Sequence, residues 1–211
     1  MAKQKVHLIM VLDCSSSMEL AREAVVQGFN SALNEWKALD KTKLFVTRLD
    51  FSKSPGLDPI RVVWRRESAK KVGGFDLESY TTDGITNMLD AVGQAISIGT
   101  EDTASDSVVV VILSDGAENA SSTHTYQTIA ELISNRMASG KWTFAYVGAN
   151  QDLATVSTRM SIPMANTLSY TSSVGGTSEA LSKLTRSLGI HYASGRTSTS
   201  AFFSEKDERS A

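Results

Sequence analysis

Two short apolar segments of this 211-residue sequence are each followed within two residues by an aspartate. Residues 6–12 lead into Asp13, and residues 107–113, which read SVVVVIL, lead into Ser114 and Asp115. Continuous aliphatic runs of this length are typical of strands that are buried on both faces of a parallel sheet. Because ligands of open α/β sheets bind at the carboxyl ends of the strands, we expect both carboxylates to lie in one binding crevice.

Three hydroxyl side chains accompany these aspartates. Ser15 and Ser17 alternate with Asp13 in the sequence DCSSS, and Thr86 stands at the start of a predicted helix in DGITNMLDAV. Two carboxylates and three hydroxyls offer oxygen ligands only, which suits a hard divalent cation such as Mg²⁺ or Mn²⁺. The sequence therefore predicts a cation site made of Asp13, Ser15, Ser17, Thr86 and Asp115.

These motifs together resemble the metal-ion-dependent adhesion site (MIDAS) of von Willebrand factor A (vWA) domains. The matching segments are D-x-S-x-S at 13–17, Thr86 in TNMLDAV, and SDG at 114–116, and they occur in the order that the family has. The resemblance covers about residues 5–190 and implies that the five residues are metal ligands, with Asp115 often acting through a water. One departure is Ser16, because the family commonly has glycine at this position.

The same resemblance implies a binding module that is not an enzyme, in which an Asp or Glu carboxylate of a protein partner completes the coordination of the metal. SDGAENAS and FAYVGANQDL are also similar to segments of stand-alone vWA proteins of bacteria and phages. This resemblance implies that the partner is a MoxR-type AAA+ ATPase or a host protein. Asp83, Glu118 and Asn119 are candidates for the rim of the crevice, and a solvated polar loop is the alternative for Glu118 and Asn119.

The sequence supports the alternative functions, two kinds of hydrolase and a nucleotide-binding protein, less than it supports a metal-dependent binding module. A metal-dependent phosphohydrolase on a similar sheet is the main alternative, but aspartyl phosphatases need a second aspartate two positions after the first, where this chain has Ser15. A hydrolase built on Asp115 and His124 lacks a G-x-S-x-G motif, and the glycine-rich motifs of nucleotide-binding proteins are also missing. Cys14 is interpreted as a small buried hydrophobic residue.

The elements that position these residues alternate between strands and helices along the chain. Apolar periodicity predicts an α/β fold that is Rossmann-like and doubly wound, with a mostly parallel central sheet and helices on both faces. The segment SKSPGLDP joins the strand-like residues 44–51 and 60–64, so these two form a predicted hairpin with one antiparallel edge strand. Further strands are expected at 142–147 and 168–170, with a turn at 148–150, and helical spacing marks 18–36, 88–96, 129–137, 153–156 and 181–188.

The composition limits the classes of partner and compartment. Formal net charge is -2, which offers no basic surface for nucleic acid or for an anionic membrane. No apolar run approaches the ~18 residues that a bilayer span requires. A single cysteine, Cys14, excludes an intramolecular disulfide and a cysteine zinc cluster, so we expect a cytoplasmic protein.

One domain is expected to cover residues 1–193. Residues 194–211, SGRTSTSAFFSEKDERSA, are polar and poor in aliphatic side chains, which predicts a flexible tail. The alternative is a short peptide that docks on a partner or on a neighbouring copy through Phe202, Phe203 or its acidic end.

Overall fold

A computed structural model describes residues 4–38, 42–102, 107–149, 153–171 and 173–203. The strands within these ranges are β1 (Gln4–Asp13), β2 (Thr42–Phe51), β3 (Ile60–Ser68), β4 (Ser107–Ser114), β5 (Trp142–Ala149) and β6 (Thr167–Tyr170). The α-helices are α1 (Arg22–Lys37), α2 (Met88–Asp102), α3 (Tyr126–Ala138), α4 (Leu153–Arg159) and α5 (Val174–Ser194), and 3₁₀ segments span Ser16–Ala21 and Met164–Asn166. No helix in these ranges is long and apolar enough to cross a membrane.

The six strands form one sheet in the order β3-β2-β1-β4-β5-β6. All neighbouring strands are parallel except β2 and β3, which pair antiparallel. This arrangement confirms the predicted doubly wound fold and its antiparallel edge strand. The chain runs outward from β1 in one direction and from β4 in the other, so the crevice of the fold opens between the carboxyl ends of β1 and β4.

Helices cover both faces of the sheet, and the alternation of side chains along β1 shows how the core divides. Leu8 and Met10 belong to the core under α1 and α5, whereas Ile9 and Val11 belong to the core on the side of α2, α3 and α4. All four side chains are fully buried. Each such side chain contributes roughly 1.5–3 kcal/mol to folding, so the two cores fix β1 firmly from both sides.

At two places the observed secondary structure is of a different type from the predicted one. The predicted helix at 18–36 begins as the 3₁₀ segment Ser16–Ala21 and becomes α-helical at Arg22, although its apolar stripe is buried as expected. The turn predicted at 148–150 is wrong for its first two residues. Gly148 and Ala149 continue β5, because Gly148 pairs with Ser114 of β4 and Ser169 of β6, and Ala149 pairs with Tyr170 of β6. Asn150 lies outside the described residues.

The chain after α5 packs against the domain, which corrects the expected tail for residues 195–203. We call residues 196–203 the C-terminal strap. Its Phe202 ring is 1% exposed, and its backbone N–H donates to Oδ1 of the buried Asn166 at 2.7 Å. The backbone N–H of Thr199 donates to Oγ1 of Thr143 at 2.9 Å. One aromatic side chain and these backbone hydrogen bonds order a stretch that its composition alone would leave unpacked. Residues 204–211 lie outside the described residues.

Candidate functional site

The carboxylate of Asp13 joins the ends of the two central strands. Asp13 is the last residue of β1 and is fully buried. Its Oδ1 accepts a hydrogen bond from the backbone N–H of Ser15 at 2.7 Å, and its Oδ2 accepts one from the hydroxyl of Ser114 at 2.5 Å. Because Ser114 ends β4, Asp13 is held at the point where the strand order reverses.

The other predicted residues of the β1 and β4 loops lie in hydrogen-bond contact with one another. The hydroxyl of Ser17 donates to Oδ1 of Asp115 at 2.5 Å, although the two residues are 98 positions apart in the sequence. The hydroxyl oxygens of Ser15 and Ser17 lie 3.1 Å apart. The fold therefore brings both serines and both aspartates into one small group of oxygen atoms.

The backbone of Gly116 marks the point where the three hydroxyls converge. A Cβ atom placed on Gly116 would lie 2.7 Å from Oγ1 of Thr86, 3.3 Å from Oγ of Ser17 and 3.6 Å from Oγ of Ser15. Thr86 thus joins the serines around a single point beside the Asp115 loop. Among the described residues no group of three His, Cys, Asp or Glu could hold a metal ion, so a cation here would depend on hydroxyl ligands.

Thr86 is held in place by the loop that follows Asp115. The backbone N–H of Thr86 donates to Oδ1 of Asn119 at 3.0 Å, and its carbonyl oxygen accepts from the N–H groups of Asn119 and Ala120 at 3.1 and 3.0 Å. Asn119 is exposed, so this candidate rim residue lies at the surface next to Thr86. Its contact with Thr86 was not predicted.

The carboxylate of Glu118 is hydrogen-bonded within the chain, which does not match the predicted role at the rim. Its Oε1 accepts from the backbone N–H groups of Ala120 and Ser121 at 3.0 and 2.7 Å. Its Oε2 accepts from the N–H of Leu89 at 2.9 Å and from the Ser121 hydroxyl at 2.9 Å. These partners engage both carboxylate oxygens. Glu118 therefore anchors the first turn of α2 to the loop, and neither the rim nor the solvated-loop interpretation describes it.

Asp83 lies at the surface beside the loop that carries Ser15 and Ser17. Its backbone N–H donates to the carbonyl oxygen of Cys14 at 2.8 Å, and the neighbouring Gly84 carbonyl accepts from the N–H of Ser16 at 3.1 Å. The Asp83 carboxylate accepts from the Ser54 hydroxyl at 2.6 Å and from the N–H of Gly84 at 2.8 Å. These hydrogen bonds lower the pKa of Asp83, so an exposed negative charge lies beside the site.

Gly84 is required where it stands. Its φ of 78° lies in the left-handed region, and a Cβ atom there would approach the carbonyl oxygen of Lys53 to 2.4 Å. Lys53 and Ile85 form an antiparallel bridge, which brings the segment before Thr86 against the β2–β3 hairpin. Glycine therefore allows the chain to approach Lys53 and still deliver Thr86 to the site.

Burial is the main influence on the charge of Asp13. It raises the pKa of the Asp13 carboxyl to about 6, while hydrogen bonds from Ser114 and Ser15 favour the charged form and the charge of Asp115 opposes it. A divalent cation nearby would favour the ionised carboxylate. Burial also raises the pKa of Tyr170, with Asp115 and Asp13 adding to the effect, so Tyr170 stays a neutral phenol near the acidic group.

Ser114 and Tyr80 contribute to the site although the sequence did not single them out. Ser114 precedes Asp115, and its hydroxyl reaches Asp13 instead of the predicted cation. The hydroxyl of the buried Tyr80 donates to the backbone carbonyl of Asp13. The position of Ser114 at the carboxyl end of β4 was a signal for its role, whereas no local pattern marks Tyr80. Cys14 is buried as predicted, and burial raises the pKa of its thiol.

Comparisons with solved structures identify the fold. Neither a protein-family profile nor a curated protein sequence matches the chain. The vWF domain of the type V pili tip protein Mfa5 from Porphyromonas gingivalis is 10% identical, with a TM-score of 0.65 over 91% of this chain and 97% of that one. The chain has a vWA fold. The pilus adhesin SpaC from Lactobacillus rhamnosus GG shares it, with 15% identity and a TM-score of 0.68 over 90% of this chain.

A third structural neighbour has a metal site in its vWA fold. Proximal thread matrix protein 1 of the mussel byssus, in a form with a zinc-occupied MIDAS motif, is 13% identical and has a TM-score of 0.65 over 87% of this chain. The chain spans only 46% of that protein and 30% of SpaC. The vWA fold is thus shared with proteins that are considerably longer.

Proposed function

We propose that Asp13, Ser15, Ser17, Thr86 and Asp115 bind one divalent cation and that the bound cation recruits a carboxylate of a protein partner. The observation that carries this proposal is the convergence of three hydroxyl oxygens beside Gly116, one of which, Oγ of Ser17, is hydrogen-bonded to the Asp115 carboxylate. Helix capping would explain each hydroxyl separately. It would not explain why hydroxyls from two separate loops meet beside Gly116 in the loop of Asp115.

The chemistry of these ligands favours Mg²⁺ or Mn²⁺. Both ions prefer oxygen ligands, and two carboxylates balance a charge of +2 without leaving an excess. Hydroxyls donate little electron density, so the cation would remain electrophilic toward one more anionic oxygen. Zinc belongs among the ions to be compared, because the mussel thread protein has a zinc-occupied MIDAS motif.

The residues of this chain support binding rather than turnover. Asp13 is fully buried, so a phosphoester could not reach its carboxylate for nucleophilic attack. Ser15 stands where an aspartyl phosphatase would have its second aspartate. We therefore propose a binding module that is not an enzyme and keep the phosphohydrolase as the alternative to be tested.

The proposed partner is a protein that presents an Asp or Glu side chain, such as a MoxR-type AAA+ ATPase or a host protein of a phage. Asp83 and Asn119 are exposed next to the site and form the proposed rim. Glu118 is not part of this rim, because the chain itself engages both of its carboxylate oxygens. The cytoplasm is the proposed compartment, since a single buried cysteine does not call for oxidising conditions.

Thermal unfolding with and without Mg²⁺ or Mn²⁺ tests the proposal in a pair of neighbouring variants. Ser17→Ala removes a proposed ligand, whereas Ser16→Ala changes an equally exposed hydroxyl one residue away. A cation at a hundred times its Kd stabilises the wild type by ~2.7 kcal/mol, which raises Tm by roughly 5–11 °C. If Ser17→Ala weakens binding a hundredfold, the same concentration stabilises by only ~0.4 kcal/mol.

We expect Ser16→Ala to keep the full shift in Tm. Loss of the shift in both variants, or in neither, would contradict the assignment of Ser17 as a ligand. The proposed recruitment of a carboxylate is then tested by measuring the binding of a short Asp-containing peptide in the presence of Mn²⁺. The same peptide with Asn in place of Asp is the control and should bind more weakly. Metal-dependent hydrolysis of a generic phosphoester that Ser17→Ala abolishes would support the phosphohydrolase instead.

A further inference from the structure

Tyr80 contacts the main chain at the centre of the candidate site. It lies in the loop between β3 and α2, is fully buried, and donates its hydroxyl to the carbonyl oxygen of Asp13, 67 positions away. The backbone N–H and carbonyl groups of the next residue, Cys14, are hydrogen-bonded as well. The N–H of Cys14 donates to the carbonyl of Phe51 at 2.8 Å, and the carbonyl of Cys14 accepts from Asp83 at 2.8 Å. Tyr80 thus adds a side-chain partner to an otherwise backbone-bonded turn.

The ring of Tyr80 is held by a buried cluster. The centroid of the Phe75 ring lies 5.7 Å away, and the guanidinium carbon of Arg48 lies 5.8 Å from the Tyr80 centroid. Arg48 is itself fully buried and pairs with Asp50 at 2.7 Å. The carbonyl of Tyr80 accepts from Nε of Arg22 at 2.7 Å. The hydroxyl therefore projects from a buried, closely packed cluster toward the main chain of Asp13.

We propose that Tyr80 is a positioning residue for the cation site, because its hydroxyl fixes the carbonyl of Asp13 and thereby the Asp13 carboxylate and the Ser15 loop. The inference rests on the proposed function. It assigns to Tyr80 no contact with the cation itself.

Loss of the hydrogen bond from Tyr80 to the Asp13 carbonyl would lower the affinity for the metal ion. A buried carbonyl without its donor favours backbone conformations that find another partner, so the ligands at 13–15 would be less well ordered before binding. Residues that orient metal ligands typically change affinity by ~10–100-fold when they are altered. We therefore expect Tyr80→Phe, which keeps the ring and removes only the hydroxyl, to weaken Mn²⁺ binding about tenfold.

The test compares Tyr80→Phe with Tyr192→Phe. Tyr192 is a buried tyrosine of α5, and its hydroxyl has no hydrogen-bond partner among the described residues, so its loss should leave the site unchanged. Kd for Mn²⁺ is measured by electron paramagnetic resonance at a temperature where all variants are folded. A residue that only stabilised the fold would change Tm but not this Kd.

A second measurement needs no metal. The N–H of Ser15 donates to Oδ1 of Asp13, so its hydrogen-exchange rate reports the order of the same turn. We expect faster exchange in Tyr80→Phe and an unchanged rate in Tyr192→Phe. The inference fails if Kd of Tyr80→Phe stays within twofold of the wild type. If the wild type binds no Mn²⁺, the proposed function fails, and an unchanged Ser15 exchange rate in Tyr80→Phe would overturn the positioning role independently.

Discussion

Gly116 follows the aspartate at the end of β4, and its lack of a side chain leaves room for three hydroxyls. Its nearest hydroxyl neighbour would be Oγ1 of Thr86, 2.7 Å from an added Cβ. That distance is shorter than side-chain carbons normally approach, so an added methyl must displace Thr86 or shift the loop. Glycine at position 116 therefore leaves the space in which the proposed cation ligands meet.

We expect Gly116→Ala to abolish the increase in Tm that Mg²⁺ or Mn²⁺ gives the wild type, because the methyl group would occupy the point where the ligands converge. Gly73→Ala is the matched control, since a Cβ atom there meets nothing within 4 Å. Thermal unfolding at equal cation concentration compares the two variants. A full metal-dependent shift in Gly116→Ala would show that the ligands do not converge beside this glycine.

At the scale of elements, two carboxylates connect the start of α2 to the loop after β4. Glu118 accepts from the N–H of Leu89, and Asp90 accepts from the N–H groups of Ser122, Thr123 and His124 at 2.8–3.0 Å. Although Asp90 is a charged residue in the first turn of α2, only 13% of its side chain is exposed. Partial burial raises the pKa of Asp90, yet the three backbone hydrogen bonds outweigh it and lower the pKa overall.

We expect Asp90→Asn to lower the free energy of unfolding by ~1–3 kcal/mol at pH 7, because an amide cannot accept three hydrogen bonds as a carboxylate does. A lowered pKa in the folded state means that the stabilisation is present above pH 3.8 and disappears as the pH falls through the folded value. Denaturant unfolding at pH 7 and near pH 3 should therefore show a difference between wild type and variant that shrinks in acid.

Asp58→Asn serves as the control for this comparison. Asp58 is exposed and accepts one backbone hydrogen bond, from Ile60 at 3.1 Å. Its substitution should change stability by much less than the substitution of Asp90. Equal effects of the two variants at pH 7 would contradict the anchoring role of Asp90.

At the scale of the whole molecule, the C-terminal strap returns to the amino ends of β4, β5 and β6. The Ser107 hydroxyl donates to the carbonyl of Thr197, and the N–H of Phe203 donates to the carbonyl of Ala165 at 2.9 Å. The buried Phe202 ring completes the core on the side of α1 and α5. This end of the sheet is opposite the candidate cation site, so strap and site can be altered independently.

We expect Phe202→Ala to destabilise the fold by ~3–5 kcal/mol and to lower Tm by roughly 6–20 °C, because it removes a buried aromatic ring. Phe203→Ala is the matched control, since its ring is only partly buried and its backbone hydrogen bond does not need the side chain. Thermal unfolding without added metal measures both. Equal values of Tm for wild type and Phe202→Ala would show that the strap does not pack as described.

The sequence by itself determined the fold class and the grouping of the candidate ligands. Continuous aliphatic runs identify buried parallel strands, and the carboxyl ends of such strands meet at one edge of the sheet. Residues placed directly after two central strands, such as Asp13 and Asp115, are therefore brought together by the topology alone. The hairpin of β2 and β3 could also be predicted from local sequence, because a short turn sequence joins its two strands.

Only the tertiary structure decided the contacts between residues far apart in the chain. Tyr80 reaches Asp13 across 67 positions, and Glu118 reaches Leu89 across 29. Neither contact follows from periodicity, because the direction in which a loop side chain points depends on the packing of all its neighbours. Phe202 is the third case, since a single ring in a polar stretch orders only when the rest of the domain offers it a place to pack.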